Sequence, residues 1–187
     1  MLFVGIDLAA RHSAALCIDE EATPVWESVF DAGPQEKPAR PFIYMRPLWD
    51  WWLEIVGRLA ETDTAVEDVV FVVEDVYSHA MDDKPAVRLQ GALLAYMALA
   101  GIESHLITAH TWQNYFGYSK KKHKDSKKWA TRACEHLGYL PGSTLPPGTK
   151  ILAKPKTDLR DAYLLAEWLR RQVAGDYLPG LDLPEQT

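Results

Sequence analysis

The apolar run "VVFVV", from Val69 to Val73, constrains the fold of this chain more than any other feature of the sequence. A strand without polar alternation must be buried on both faces, which is typical of an interior strand in an α/β sheet. The run ends in Glu74, and burying a lone carboxylate costs free energy unless a partner compensates for it. The sequence therefore predicts a central strand that carries a charge at its carboxyl end.

The segments around this run predict a mixed sheet. "LFVGID", "SAALCID" and "PVWESVF" predict an antiparallel meander of three strands, and "ESHLITA" predicts one further strand. Helical patterns begin at Pro47, Lys84, Ser126 and Thr157. The order predicts an α/β fold in which three antiparallel and two parallel strands form a five-stranded sheet with helices on both faces. We expect one domain over residues 1–175 and a loosely ordered tail over residues 176–187.

Two aspartates lie near the start of the last predicted helix. Asp158 and Asp161 are three residues apart, so their side chains share one face of the helix. Thr157 is a good N-cap, and acids in a first turn interact favourably with the helix dipole, which would explain the pair locally. The same spacing suits two carboxylates that bind a metal. Local sequence leaves both interpretations open.

Two further acids close predicted strands. Asp7 ends "LFVGID", and Glu74 ends the "VVFVV" strand. If these strands are parallel neighbours, both carboxylates lie at the edge where α/β sheets place their ligand sites. A last helix that crosses this edge would add Asp158 and Asp161. Four carboxylates without a cysteine or histidine cluster favour Mg²⁺ or Mn²⁺ over Zn²⁺.

The charge of the chain is unevenly distributed. Residues 120–132 carry a local charge of +6, while the whole chain has a net charge of −6, so the remainder carries −12. Such a basic segment can neutralise phosphates of a nucleic acid, although an isolated lysine run is also typical of a solvated loop. Cys17 and Cys134 form no CxxC pair, and no apolar run reaches about 18 residues. We expect a cytoplasmic protein with no membrane partner.

Three motifs in this order resemble a known family. "GID", "VVEDVY" and "TDLRDAYLLA" are similar to the active-site segments of the RuvC-type Holliday junction resolvases of the ribonuclease H-like superfamily. "VRLQGALLAYMALAGIESHLITAHTWQNYFG" resembles their long dimerisation helix and the strand that follows it. The resemblance extends over residues 3–172, and the compact length and proline-rich insertions look like a phage or viral member.

The resemblance implies a ribonuclease H-like fold and a Mg²⁺-dependent crossover junction endodeoxyribonuclease. Its metal-binding tetrad would be Asp7, Glu74, Asp158 and Asp161, which would hold two Mg²⁺ ions, with Mn²⁺ as a substitute. The partners implied are branched DNA, four-way junctions above all, and a second copy of the chain through the helix around residues 84–100. A bacterial host cell would be the location if the chain is encoded by a phage.

The resemblance also implies DNA contacts outside the tetrad. Lys124 matches a family lysine near the scissile phosphate. Tyr77 matches an aromatic residue that stacks on a base at the opened junction, although a packed surface tyrosine explains it equally well. Further lysines expected to contact DNA are Lys120, Lys121, Lys122, Lys127 and Lys128. His79 is treated as a surface histidine, although it lies close enough in sequence to approach the site.

The chain departs from the family at two places. Leu8 and Ala9 follow the first aspartate, where bacterial members usually have Pro-Gly, so this turn is expected to differ. The segment "SKKKHKDSKKW" is more basic than usual, which favours a broader range of branched DNA over a narrow sequence preference.

Three other functions stay open at this level. A ribonuclease H or exonuclease of the same superfamily acts on hybrids or DNA ends and often works as a monomer. An ATPase of the actin and Hsp70 type also opens with a "GID" strand and a meander, but it needs a second phosphate loop and a longer chain. A non-catalytic DNA-binding relative would usually have lost one of the four acids, and all four are present.

Overall fold

The computed structural model describes residues 1–9, 12–31, 45–76, 84–119, 125–144, 153–176 and 181. The strands in these ranges are Leu2–Asp7 (β1), His12–Ile18 (β2), Pro24–Asp31 (β3), Val69–Glu74 (β4) and Ser104–Ile107 (β5). The α-helices are Met45–Ala60 (α1), Lys84–Leu99 (α2), Ala109–Tyr115 (α3), Ser126–His136 (α4) and Ala153–Val173 (α5). A short 3-10 turn, Val66–Asp68, leads into β4.

The five strands form one mixed sheet in the order β3-β2-β1-β4-β5. The first three strands pair in antiparallel fashion, while β4 is parallel to both of its neighbours, β1 and β5. The predicted meander and the two parallel strands are therefore confirmed. In β4, Phe71, Val72 and Val73 are fully buried, as expected of a strand between two others.

Alternation of side chains along the strands gives the sheet two different faces. In β1, Phe3 faces the core formed with α3, α4 and α5, whereas Val4 and Ile6 face the core formed with α1 and α2. We call these the α3–α5 face and the α1–α2 face. The prediction of helices on both faces is confirmed.

Helix α3 was not expected from the sequence. The strand pattern "ESHLITA" runs to Ala109, but β5 ends at Ile107 and α3 begins two residues later. The hydroxyl of Thr108 accepts a hydrogen bond from the backbone N–H of Thr111, which caps the new helix. Seven residues are too few to show a clear helical periodicity, so the sequence pattern indicated only the preceding strand.

The start of α5 corrects a second expectation. The helix begins at Ala153, not at Thr157, and no acid lies in its first turn. Asp158 and Asp161 therefore lie in the second and third turns, beyond the reach of the helix dipole. The local explanation for this pair of carboxylates is wrong, and another explanation is required.

Contacts near the end of the chain join it to the α3–α5 face. The hydroxyl of Tyr115 donates a hydrogen bond to the backbone carbonyl of Asp176, and the N–H of Leu181 donates to the carbonyl of Phe116. Across the described ranges, no helix combines the length and the apolar character that crossing a membrane requires.

Candidate functional site

The carboxyl ends of β1 and β4 place two acids side by side. These parallel strands pair Ile6 with Val73, so Asp7 and Glu74 follow at the same level of the sheet. Both lie two residues beyond positions on the α3–α5 face, and alternation directs them to that face. The sequence predicted this neighbourhood from the strand order alone, and the strand register supports it.

Helix α5 crosses β1 with its backbone in direct contact. A Cβ atom at Gly5 would overlap the backbone carbonyl oxygen of Ala162 and would lie 2.6 Å from the backbone nitrogen of Ala166. Only glycine permits this approach. Asp161 immediately precedes Ala162 in α5, and Asp158 lies one turn earlier. The glycine thus sets the distance at which the helix brings its two carboxylates to the strand ends.

Glu74 is held in an environment that disfavours its ionised form. Burial raises the pKa of its carboxyl group to about 7, and the charge of Asp75 contributes in the same direction, against a hydrogen bond from Trp112. The indole Nε1–H of Trp112 donates to Glu74 Oε2 over 3.1 Å. A carboxyl whose pKa is raised toward neutrality, at the edge where α/β sheets place their ligands, marks Glu74 as a candidate functional residue.

Asp161 experiences the same kind of environment. Its pKa is raised well above the ordinary value, first by burial and then by the charges of Glu74 and Asp158. Lys127 and Arg160 act against this shift. Asp161 is therefore close enough to Glu74 and Asp158 for its charge to be repelled by theirs, and Asp158 is only 9% exposed. Excess negative charge of this kind is what a bound cation would compensate.

Trp112 is a site residue that sequence analysis missed. It belongs to the unexpected helix α3 and is 1% exposed, and it is separated from Glu74 by 38 positions in the chain. The amide of Gln90, in α2, also reaches this strand end and donates to the backbone carbonyl of Glu74 over 3.2 Å. No short motif marks either residue, because each contact depends on how helices dock against β4.

The predicted DNA-binding lysines fall into two groups. Lys127 and Lys128 open α4, are exposed, and have backbone N–H groups that donate to the side chain of the N-cap, Asp125. The charge of Lys127 lowers the pKa of Asp161, so this lysine lies near the acids. The predicted residues Lys120, Lys121, Lys122, Lys124, Tyr77 and His79 lie outside the described residues.

The four acids offer only carboxylate oxygens to the implied metal. Carboxylates that repel one another match the hard oxygen ligands that Mg²⁺ and Mn²⁺ prefer. In the parts of the chain that the structure describes, however, no three His, Cys, Asp or Glu side chains are arranged so that they could hold a metal ion. The chemistry of the acids therefore fits Mg²⁺, although the described side chains do not form a complete ligand set.

By sequence, the chain matches no protein-family model and no curated protein. By structure, it is similar to RuvC of Thermus thermophilus, with a TM-score of 0.63 and 16% identity over 96% of this chain and 99% of that chain. It is also similar to T. thermophilus RuvC in complex with a Holliday junction substrate, with a TM-score of 0.61, the same identity and the same coverage. The chain therefore has the fold of RuvC over nearly its whole length, and the predicted ribonuclease H-like fold is confirmed.

Proposed function

We propose that this protein is a Holliday junction resolvase, a metal-dependent endonuclease that makes paired symmetric nicks in four-way and related branched DNA. The observation that carries the proposal is the group of mutually repelling carboxylates at the carboxyl end of β4, beneath α5, in a chain with the fold of RuvC. A protein folded only for stability would gain nothing from burying these charges together.

Asp7, Glu74, Asp158 and Asp161 would hold two Mg²⁺ ions, with Mn²⁺ as a substitute. When bound, the ions would lower the pKa of a water nucleophile and stabilise the oxygen that leaves phosphorus. The partial burial of the acids keeps bulk water away from them, which strengthens their attraction for a cation. The register of β1 and β4 and the close approach of α5 support this assignment.

The exposed lysines at the start of α4 would bind the DNA backbone. Lys127 lies near Asp161, so a phosphate held by its ammonium group would come close to the acids. Lys128 would extend this positive surface, and the Lys120–Lys122 run and Lys124 are proposed to continue it. Binding through several phosphate contacts should weaken steeply as salt increases. Tyr77 remains the candidate for stacking on a base at the opened junction.

A symmetric dimer suits a substrate that requires two symmetric nicks. Helix α2 presents an outer face of small exposed residues, Gly91, Ala95 and Ala98, which permits a close approach of a second copy. We propose this face as the dimer interface. The single domain over residues 1–175, the phage or viral source and the cytoplasmic location stay predictions.

The first test is cleavage of a labelled synthetic four-way junction with Mg²⁺, beside a linear duplex, an RNA–DNA hybrid and a flap. We expect paired nicks at symmetric positions that DNA ligase can reseal, and their loss in Asp7→Asn without loss of junction binding. The carboxamide keeps the size of the aspartate and removes the charge that a metal requires. Preferential cleavage of hybrids or ends would assign the site to a different ribonuclease H-like nuclease. Tight junction binding without any cleavage would contradict the enzymatic proposal.

A further inference from the structure

Trp112 belongs to the core through its ring and to the candidate site through its N–H group. Its ring is 1% exposed and packs against Trp129, with ring centroids 6.2 Å apart, so most of the side chain is an ordinary part of the core. Its single polar atom, Nε1, leaves that core and donates to Glu74 Oε2. A buried tryptophan normally directs its N–H to a partner, and here the partner is a candidate metal ligand.

The neighbouring Trp129 shows that packing alone does not require such a bond. It is also 1% exposed and lies in the same apolar cluster, in helix α4. Its Nε1 has no hydrogen-bond partner within the described ranges. Among the described residues, Trp129 therefore packs in this cluster without a bond to any candidate metal ligand. The bond from Trp112 to Glu74 is a separate feature that needs its own explanation.

The hydrogen bond restrains a side chain that would otherwise rotate. With Oε2 engaged by the indole, the carboxylate of Glu74 is held at the strand end, within the field of Asp158 and Asp161. The strand end is itself held, because Gln90 donates to the Glu74 carbonyl and the N–H of Asp75 donates to a carbonyl of β5. Backbone and carboxylate are thus both fixed before any ligand arrives.

We propose that Trp112 is a positioning residue, which holds the Glu74 carboxylate in the orientation that binds a divalent cation. The inference rests on the proposed metal centre and adds to it a residue outside the four acids. Groups that hydrogen-bond to metal ligands orient those ligands, and removing one typically weakens metal binding by about 10- to 100-fold. A tryptophan supplies this bond from α3, a helix that carries none of the four acids.

The test compares Trp112→Phe with the matched control Trp129→Phe in the full chain. Each change removes an indole and keeps an aromatic ring, but only the first removes a bond to Glu74. Binding of Mn²⁺ is measured by electron paramagnetic resonance at constant pH and without DNA. We expect about tenfold weaker Mn²⁺ binding in Trp112→Phe, and wild-type binding in Trp129→Phe. Adding Trp112→Phe to Glu74→Gln should cause no further loss, because the indole acts through this carboxylate.

Equal Mn²⁺ affinities of the two phenylalanine variants would overturn the proposal. It would also be overturned if Mn²⁺ binding by the wild-type chain did not depend on Glu74. If the Mn²⁺ results are as expected but branched DNA is not cut, the resolvase proposal fails while the role of Trp112 stands.

A second measurement needs no change at Trp112. Its indole N–H resonance, identified by its displacement in Glu74→Gln, should shift when Mg²⁺ is added to the wild-type chain. The resonance of Trp129 should stay in place. An unresponsive Trp112 resonance would contradict the proposal even if Trp112→Phe failed to fold.

Discussion

The two faces of the central sheet differ in the charge of the side chains that they bury. On the α3–α5 face, a helix backbone rests directly on β1, and the buried carboxylates of the described chain, Glu27, Asp158 and Glu167, all belong to this side. On the α1–α2 face, the core consists of large apolar and aromatic residues, and the buried polar side chains of Ser13, Ser28 and Gln90 carry no charge.

The buried carboxylates on the α3–α5 face differ in the charges that surround them. Buried carboxylates are costly, and the partners of Glu27 and Glu167 connect separate parts of the fold. Glu27 accepts hydrogen bonds from the hydroxyl of Tyr139 and the N–H of Gly142, and Glu167 is paired with Arg170 and Arg171.

Asp158 differs in lying beside a like charge, because both it and Glu74 raise the pKa of Asp161. This difference supports the proposal that the acids at the strand ends bind a cation, while Glu27 and Glu167 join parts of the fold together.

The largest effect is expected from changing the glycine that lets α5 touch β1. Gly5→Ala introduces a methyl group that overlaps backbone atoms of α5, which cannot rotate away. We expect a loss of about 3 kcal/mol or more in the free energy of unfolding, together with loss of Mn²⁺ binding because Asp158 and Asp161 move with the helix. Denaturant unfolding and Mn²⁺ titration measure the two effects.

The matched control for this change lies on the other face. Gly57, in α1, is exposed and would meet nothing within 4 Å if a Cβ were added. Gly57→Ala should therefore stabilise the chain by about 0.5–1 kcal/mol through helix propensity. Similar effects of the two substitutions would show that the close approach of α5 does not distinguish the two faces.

A smaller effect is expected from pH, and we assign it to the acids at the strand ends on the α3–α5 face. Between pH 4.5 and about 7, folded Glu74 keeps a proton that the unfolded chain has released, so the free energy of unfolding falls as the pH rises. This interval corresponds to roughly 3 kcal/mol as an upper limit for a single carboxyl group. Asp161, whose pKa is also raised, acts in the same direction.

The measurement is urea unfolding in a metal chelator at pH 5 and pH 7.5. Glu74→Gln, which cannot ionise, should reduce the difference between the two values. Addition of Mg²⁺ at pH 7.5 should restore stability to the wild-type chain, since a cation compensates the repulsion between the acids. A stability that rises steadily from pH 5 to pH 7.5 without metal would contradict the raised pKa values.

The smallest effect on the fold is expected on the outer side of the α1–α2 face. Ala95 is exposed in α2, where we propose that a second copy of the chain binds. Ala95→Glu should leave the free energy of unfolding of the monomer within about 0.5 kcal/mol and should shift the chain from dimer to monomer. Sedimentation velocity measures the change. Ala60→Glu, at the exposed end of α1, is the control, and equal dimer populations in both variants would place the interface elsewhere.

Much of the architecture could be predicted because periodicity and order are local properties of the chain. The apolar run of β4 indicated a strand between two others, and the succession of strand and helix patterns indicated the mixed sheet. Asp7 and Glu74 could be assigned to one edge because parallel neighbouring strands end together. None of these inferences required knowledge of a contact between distant residues.

Tertiary structure alone decided the features that depend on distant contacts. Helix α5 begins at Ala153 although its first turn contains Pro155, because a proline is tolerated where the helix needs no N–H donor. Asp158 and Asp161 therefore lie beyond the first turn, and the helix dipole does not explain their presence. The need for glycine at position 5 exists only because α5 docks there. The hydrogen bond from Trp112 to Glu74 joins residues 38 positions apart. It depends on how α3 packs against β4, and no periodic pattern in the sequence predicts that packing.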